Sequence, residues 1–123
     1  MRPTRVLIVD DNRDAADMTA ALLGAEGFQT ETAYNGRDAL AADGRFRPDV
    51  VLLDLTLPDV DGFEVAERLR DDPPPPLLIA VSGHAEDHVA DRLRASGCAR
   101  HLLKPIDVDA LLKLLADVPP RET

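Results

Sequence analysis

The sequence has no tryptophan, one tyrosine, three phenylalanines and a single cysteine among 123 residues. A lone thiol, Cys98, excludes an intrachain disulfide and fits a reducing compartment. It reads as a small core or near-core residue. With aromatics at 3%, any core must be aliphatic, built from Leu, Val, Ile and Ala. No apolar stretch approaches the roughly 20 residues of a membrane helix. The run Val6-Leu7-Ile8-Val9 stops at Asp10-Asp11, which is too short for a signal peptide. Positive charge is also scarce: 14 Lys and Arg face 23 Asp and Glu, a formal net charge of −9. Such a surface repels nucleic acid and anionic lipid, which argues against direct nucleic-acid or membrane binding and makes the cytoplasm the expected location.

What is present is one domain's worth of chain. Two kinds of segment alternate along it. Short aliphatic runs, Val6-Leu7-Ile8-Val9, Val50-Val51-Leu52-Leu53, Leu77-Leu78-Ile79-Ala80-Val81 and the shorter Leu102-Leu103, suggest strands buried on both faces, as in a parallel sheet. Residues 28–33 alternate apolar with polar and read as an edge strand. Between the runs lie helix-periodic segments. Ala15, Met18, Leu22 and Ala25 share one helical face, as do Val108, Leu111, Leu112 and Leu115. Weaker stripes occur at Ala39-Leu40, Phe63-Ala66-Leu69 and Val89-Ala90-Leu93. This β-α alternation, five times over, predicts an α/β fold: a doubly wound parallel sheet with helices on both faces. The four prolines of residues 73–76 end the third helix and stiffen the connection to the fourth strand. The domain is expected to span residues 1–118, with 119–123 a flexible tail.

The polar residues that end the runs carry the chemistry. The first run ends at Asp10-Asp11, the third strand at Asp54, the fourth at Ser82 and the fifth at Lys104-Pro105. All strands of an open parallel sheet end on one edge, and ligands bind there where the strand order reverses. Three converging carboxylates repel and require a counter-charge. A hard divalent cation such as Mg²⁺ supplies one, and Lys104 a second. A metal and a lysine beside a carboxylate suit a phosphoryl group, whose transfer needs positioning and neutralisation of its oxygens. A carboxylate nucleophile gives an acyl phosphate, and Asp54, alone on a central strand, is the best candidate. Capping is the plain alternative. Asn12 can cap the first helix without Asp10 or Asp11, and Asp59 or Asp61 suits the third helix better than Asp54 does. This reading demands that Asp54 lie close to the Asp10-Asp11 pair, with its carboxylate not sealed from solvent.

Val9-Asp10-Asp11-Asn12, residues 54–62, Ser82-Gly83 and Leu103-Lys104-Pro105 resemble the signatures of the two-component response-regulator receiver domain. The resemblance runs from about Arg5 to Leu115 and rests on the ordered set. It implies a flavodoxin-like (βα)5 fold of strand order 2-1-3-4-5. It implies that Asp54 accepts a phosphoryl group from a phosphohistidine on a sensor histidine kinase or histidine phosphotransfer protein. Asp11 and Asp54 would ligate Mg²⁺, for which Mn²⁺ could substitute. Asp10 would act largely through water, and the Thr56 backbone carbonyl would be a further ligand. Lys104 would pair with a phosphoryl oxygen, Ser82 would swing in to hydrogen-bond it, and Thr56 and His84 would tune hydrolysis. The Lys104-Pro105 bond is cis in the family. The output would pass to an unidentified downstream effector, and homodimerisation would use the face of the fourth helix, fifth strand and fifth helix. Such a domain is a switch that turns over no separate substrate.

One position departs from the family pattern. Three residues before the lysine, where Phe or Tyr is usual, stands His101. Histidine there resembles some receivers of hybrid sensor kinases, as do residues 12–17. We expect His101 to couple to Ser82 and to add pH sensitivity, since imidazole titrates in the physiological range. His84 and His88 have a spacing compatible with zinc, but their neighbours complete no ligand pattern and they read as surface residues. Two other functions compete. A haloacid-dehalogenase-like phosphatase shares the Asp, Mg²⁺, Ser and Lys set, but needs a second carboxylate where Thr56 stands. A phosphorylation-independent interaction module has no use for the intact Asp11, Asp54, Ser82 and Lys104 set.

Overall fold

The aliphatic runs become the strands of one parallel sheet in the computed structural model, which describes residues 2–55, 57, 59, 61–83, 95 and 98–121. The elements are β1 (Arg5–Val9), α1 (Arg13–Ala25), β2 (Gln29–Ala33), α2 (Gly36–Phe46), β3 (Val50–Asp54), α3 (Gly62–Arg70), β4 (Leu77–Ser82), β5 (Arg100–Leu103) and α4 (Val108–Leu115). The helix expected between β4 and β5, with its Val89-Ala90-Leu93 stripe and the His84 and His88 pair, lies outside the described residues. The strands pair in parallel in the order β2-β1-β3-β4-β5, the expected doubly wound arrangement.

Alternation along the central strands divides the core into two layers. Leu7, Val9, Val51 and Leu53 face α2 and α3, where they pack on Ala39, Ala42, Ala66 and Leu69. Val6, Ile8, Val50 and Leu52 face the other way, onto Ala16, Leu23, Leu111 and Leu115. All of these side chains are essentially removed from water. That aliphatic burial is the main drive for folding in a chain so poor in aromatics.

The last helix buries Leu111 and Leu115, with Val108 and Leu112 half-buried, as its stripe predicts. In α1 the predicted face is wrong. Ala15, Met18, Leu22 and Ala25 are exposed, Met18 at 66%, whereas Ala16 and Leu23 are buried and Ala20 is half-buried. The buried set repeats at helical spacing just as the exposed one does. Helix 1 is apolar on both stripes, so periodicity alone does not choose between them.

Opposite the carboxyl ends of the strands, polar groups close the sheet's lower edge. Asp49, 3% exposed, accepts two hydrogen bonds from the Arg2 guanidinium, both 2.7 Å, one from the Arg5 amide at 2.8 Å and one from the Arg121 amide at 2.7 Å. Residues 119–123, expected to be a flexible tail, thus supply a buried side chain, Arg121. Burial pushes the Asp49 carboxyl up, but the donors from Arg2, Arg121 and Arg5 outweigh it and hold the group below the usual carboxylate range.

A carboxylate with a depressed pKa stabilises the fold above its unfolded value of ~3.9, and that stability is lost as pH falls through the folded pKa. We therefore predict that Asp49→Asn lowers stability at neutral pH by roughly 2 kcal/mol, the scale of a lost charge-assisted network. The variant should also lose less further stability than the parent below about pH 4. Urea midpoints across pH 3–7 measure this, and parallel curves for the two proteins would refute it.

Candidate functional site

Because the strands are parallel, their carboxyl ends deliver side chains to one edge of the sheet. Asp10 follows β1, Asp54 ends β3, Ser82 ends β4 and Lys104 follows β5. Backbone hydrogen bonds continue the ladder past the strands and fix these positions. The Asp10 amide donates to Ala33 at 3.0 Å, the Leu55 amide to Val81 at 3.1 Å, and the Lys104 amide to Ser82 at 2.8 Å. The Lys104-Pro105 bond is cis.

Carboxylate oxygens of Asp10, Asp11 and Asp54 all lie within 4.8 Å of one another. Lys104 Nζ stands 2.9 Å from Asp54 Oδ2 and 3.7 Å from Asp10 Oδ2. Burial lowers the Lys104 pKa, but the hydrogen bond that its ammonium donates to Asp54 and the charges of Asp54, Asp10 and Asp11 reverse this and raise it above the ordinary value. The lysine therefore stays charged at physiological pH. Exposure falls steeply into the site: Asp11 lies at the surface, Asp10 is half-buried and Asp54 is 3% exposed. The Asp54 carboxylate is thus nearly, though not wholly, closed off from solvent, at the floor of the cluster.

Capping duties fall elsewhere, which leaves these acids to the site. Asn12 caps α1, its Oδ1 accepting from the Ala15 amide at 3.1 Å. Asp10 Oδ1 only accepts the Asn12 amide, at 3.0 Å. Asp61 caps α3, accepting from Phe63 at 2.9 Å. Asp59 instead accepts from the Gly36 and Arg37 amides, at 2.9 and 3.1 Å, and so holds the amino end of α2 across the fold. Of the two caps expected for the third helix, Asp59 or Asp61, Asp61 is the one that serves. The partners of Asp59 lie 23 and 22 residues away and leave no local signal. Gly62, the first residue of α3, is fixed by a close approach. A Cβ there would sit 2.6 Å from Leu55 Cα, so only glycine lets α3 start this close to the strand that ends in Asp54.

Ser82 is 5% exposed, and its Oγ lies 2.8 Å from His101 Nε2 on the neighbouring strand. His101 is half-buried and pairs with Ala80 in the β4–β5 register. Thr56 and His84 lie outside the described residues. Beside Lys104 a cavity of about 500 Å³ opens between α1 and α4. Met18 and Leu22, the stripe expected to be core, line it together with Ile106 and Val108.

Chemically, three clustered oxygen donors fit a hard divalent cation such as Mg²⁺, and the buried carboxylate with an ammonium against it fits an anion placed alongside. The fold and the edge together define a class: an open α/β sheet with an acidic, lysine-paired pocket at its switch point. The family model of the response regulator receiver domain matches residues 6–116. The chain is 35% identical over 115 residues to the polar-differentiation response regulator DivK of Brucella anthropi, covering 92% of this chain and 94% of DivK. It is 39% identical over 113 residues to the probable transcriptional regulatory protein TcrX of Mycobacterium tuberculosis, covering 90% of this chain but 47% of TcrX. Among solved structures, a CheY-like receiver domain protein from Methanospirillum hungatei superposes with a TM-score of 0.88 at 29% identity, over 94% of this chain and 92% of that one. The chain spans less than half the length of curated relatives such as TcrX. It belongs to the response-regulator receiver family, the phosphoaccepting switch domains of two-component signalling. Among the described residues no helix is long and apolar enough to cross a membrane.

If the acidic cluster is the cation site, Asp11→Asn should weaken Mg²⁺ binding by tenfold or more, within the ~10–100-fold range that even outer-shell losses reach. Lys104→Met should strengthen it, because the ammonium competes for the same carboxylates. Amide shifts of residues 10–12 during a MgCl₂ titration give both affinities. Unchanged values in both variants would place the cation elsewhere.

Proposed function

We propose that Asp54 is the phosphoacceptor and that Ser82 and Lys104 complete its catalytic group. The observation that carries this is the meeting of Asp10, Asp11 and Asp54 within 4.8 Å, with Lys104 Nζ at 2.9 Å from the candidate nucleophile. An Asp54 oxygen forms the O–P bond as the N–P bond of a phosphohistidine breaks, and the released imidazole takes up a proton. Lys104 pairs with one phosphoryl oxygen and the Ser82 hydroxyl donates to another. Asp10, Asp11, Asp54 and the Thr56 carbonyl would hold Mg²⁺, or Mn²⁺ in its place. The ion would neutralise charge on the transferring group. Thr56 and His84 are assigned the tuning of hydrolysis by position in the family pattern alone. On this reading the domain catalyses its own phosphorylation and slow dephosphorylation, and nothing else.

The proposed donor is a sensor histidine kinase or histidine phosphotransfer protein in the cytoplasm. The cavity lined by Met18 and Leu22 supports a protein donor, since it sets an apolar surface directly beside Lys104. Leu103, 48% exposed on the edge strand β5, is an apolar residue that the proposed output face would offer to an effector or to a second copy in a homodimer. Both the free-standing DivK and the longer TcrX are models for how the domain is used.

Beryllofluoride with Mg²⁺, or acetyl phosphate, tests the central assignment. We expect one-to-one modification that is lost in Asp54→Asn. Modification persisting in that variant would move the acceptor elsewhere, and repeated turnover of a small phosphoester would favour a phosphatase.

The Ser82–His101 hydrogen bond supports a role for His101 in the switch. In the tautomer whose Nε2 accepts, the single Ser82 hydroxyl proton must leave Nε2 to serve a phosphoryl oxygen; in the other, Nε2–H donates to the hydroxyl, and the ring still senses where Oγ points. We predict that beryllofluoride shifts the His101 ring resonances in the parent protein and that Ser82→Ala removes most of that change. Identical ring shifts with and without beryllofluoride would end the case for coupling.

A further inference from the structure

The edge of the sheet farthest from Asp54 holds a second built site, which the switch does not use. Arg121, whose side chain is 1% exposed, spends every guanidinium nitrogen there. Nε donates to the Pro74 carbonyl at 2.7 Å. Nη1 donates to Asp43 Oδ1 at 2.6 Å and to the Pro48 carbonyl at 3.4 Å. Nη2 donates to Asp72 Oδ2 at 3.2 Å and to the Asp72 carbonyl at 3.3 Å. The acceptors come from α2, from the turn before β3 and from the proline-rich loop before β4. These are separate segments of the folded body, and the cation comes from the chain beyond α4.

Asp43 shows that the cage is built for a cation. It lies inside the last turns of α2 and is 4% exposed. Burial pushes its carboxyl up, and Arg121 is the cation that opposes this. A carboxylate turned into a protein interior is costly unless it is paired. Acceptors meet all three guanidinium nitrogens, five in number, which matches the fork of a guanidinium and not the point charge of an ammonium. Arg47, at 3.0 Å from Asp72, and Arg2, on Asp49, close the rim.

We infer that this edge is a guanidinium-binding cage, occupied in cis by Arg121, which clasps the segment after α4 to the proline-rich loop and the base of β3. The clasp selects a planar cation, so an exogenous guanidinium ion can fill it when the Arg121 side chain is removed. The backbone takes part as well, through the Arg121 amide on Asp49 at 2.7 Å.

Hydrogen exchange on the unaltered protein gives the first test, independent of any variant. The Arg121 amide should exchange at least tenfold more slowly than an unstructured peptide amide, and exchange at the peptide rate would overturn the clasp. Next, Arg121→Ala should raise the unfolding equilibrium constant about a hundredfold or more, the scale for stranding a buried carboxylate. Arg121→Lys should recover little of it. Low-millimolar guanidinium chloride should then raise the melting temperature of Arg121→Ala saturably, by ligand linkage, while equal sodium chloride does not. A destabilised Arg121→Ala protein without that rescue, or full stability in both variants, would leave Arg121 as packing only.

Discussion

Three carboxylates within 4.8 Å of one another, in a chain of net charge −9, set the electrostatic problem around which the upper edge is organised. Their mutual repulsion calls for a counter-charge. The Lys104 ammonium, 2.9 Å from Asp54 and 3.7 Å from Asp10, supplies one. In return the carboxylates keep it charged against the pull of burial. Removing Lys104 would leave the buried Asp54 carboxylate without its ammonium partner. The fold's part is positional. A parallel sheet brings the ends of β1, β3 and β5 together, though their sequence positions span residues 9 to 103. The aliphatic layers on both faces hold those ends in register.

A second constraint is that helix ends near the pocket also need acceptors, and acids are the obvious supply. The chain keeps the two demands separate. Asn12, Asp59 and Asp61 take the amide groups of α1, α2 and α3. Asp11 and Asp54 are left to face one another and Lys104. Were Asp10 or Asp11 the cap of α1, its charge would be partly neutralised by the helix amides and less available to a cation.

Strand content and the convergence of Asp10, Asp11, Asp54 and Lys104 were legible because each rests on a short pattern: an aliphatic run, then a polar residue where it stops; the strand order came from the family resemblance alone. Ser82 and Lys104 were readable for that reason, although neither is informative alone. What escaped the sequence was long-range or degenerate. The buried face of α1 could not be chosen because Ala16-Ala20-Leu23 and Ala15-Met18-Leu22 have the same helical spacing. The exposed stripe borders the cavity beside the site, so its apolar character reflects the surface there and not the core. Asp59 reaches across 23 residues to another helix, and Arg121 across 78 to Asp43. No periodicity announces such contacts. A tail rich in proline and charge reads as solvated until the buried acid that awaits it is seen.

The two edges of the sheet solve the same problem with different cations, and the difference follows from what each edge must do. At the lower edge the charge is fixed in place by an arginine, 1% exposed, whose planar fork fits carbonyls and carboxylates at once. At the upper edge it is a lysine, 37% exposed, on a flexible stem. An ammonium makes no demand for planar acceptors, and on the proposed function it would pivot from a carboxylate to a newly attached phosphoryl oxygen without losing its charge. Exchanging the two would work poorly at both sites. A guanidinium over Asp54 would bind its partners too rigidly to trade one for another, and an ammonium at position 121 would leave several carbonyls without donors. Exchange of partners is what a phosphoryl switch requires at one end, and its absence at the other keeps the sheet a fixed frame against which the switch can move.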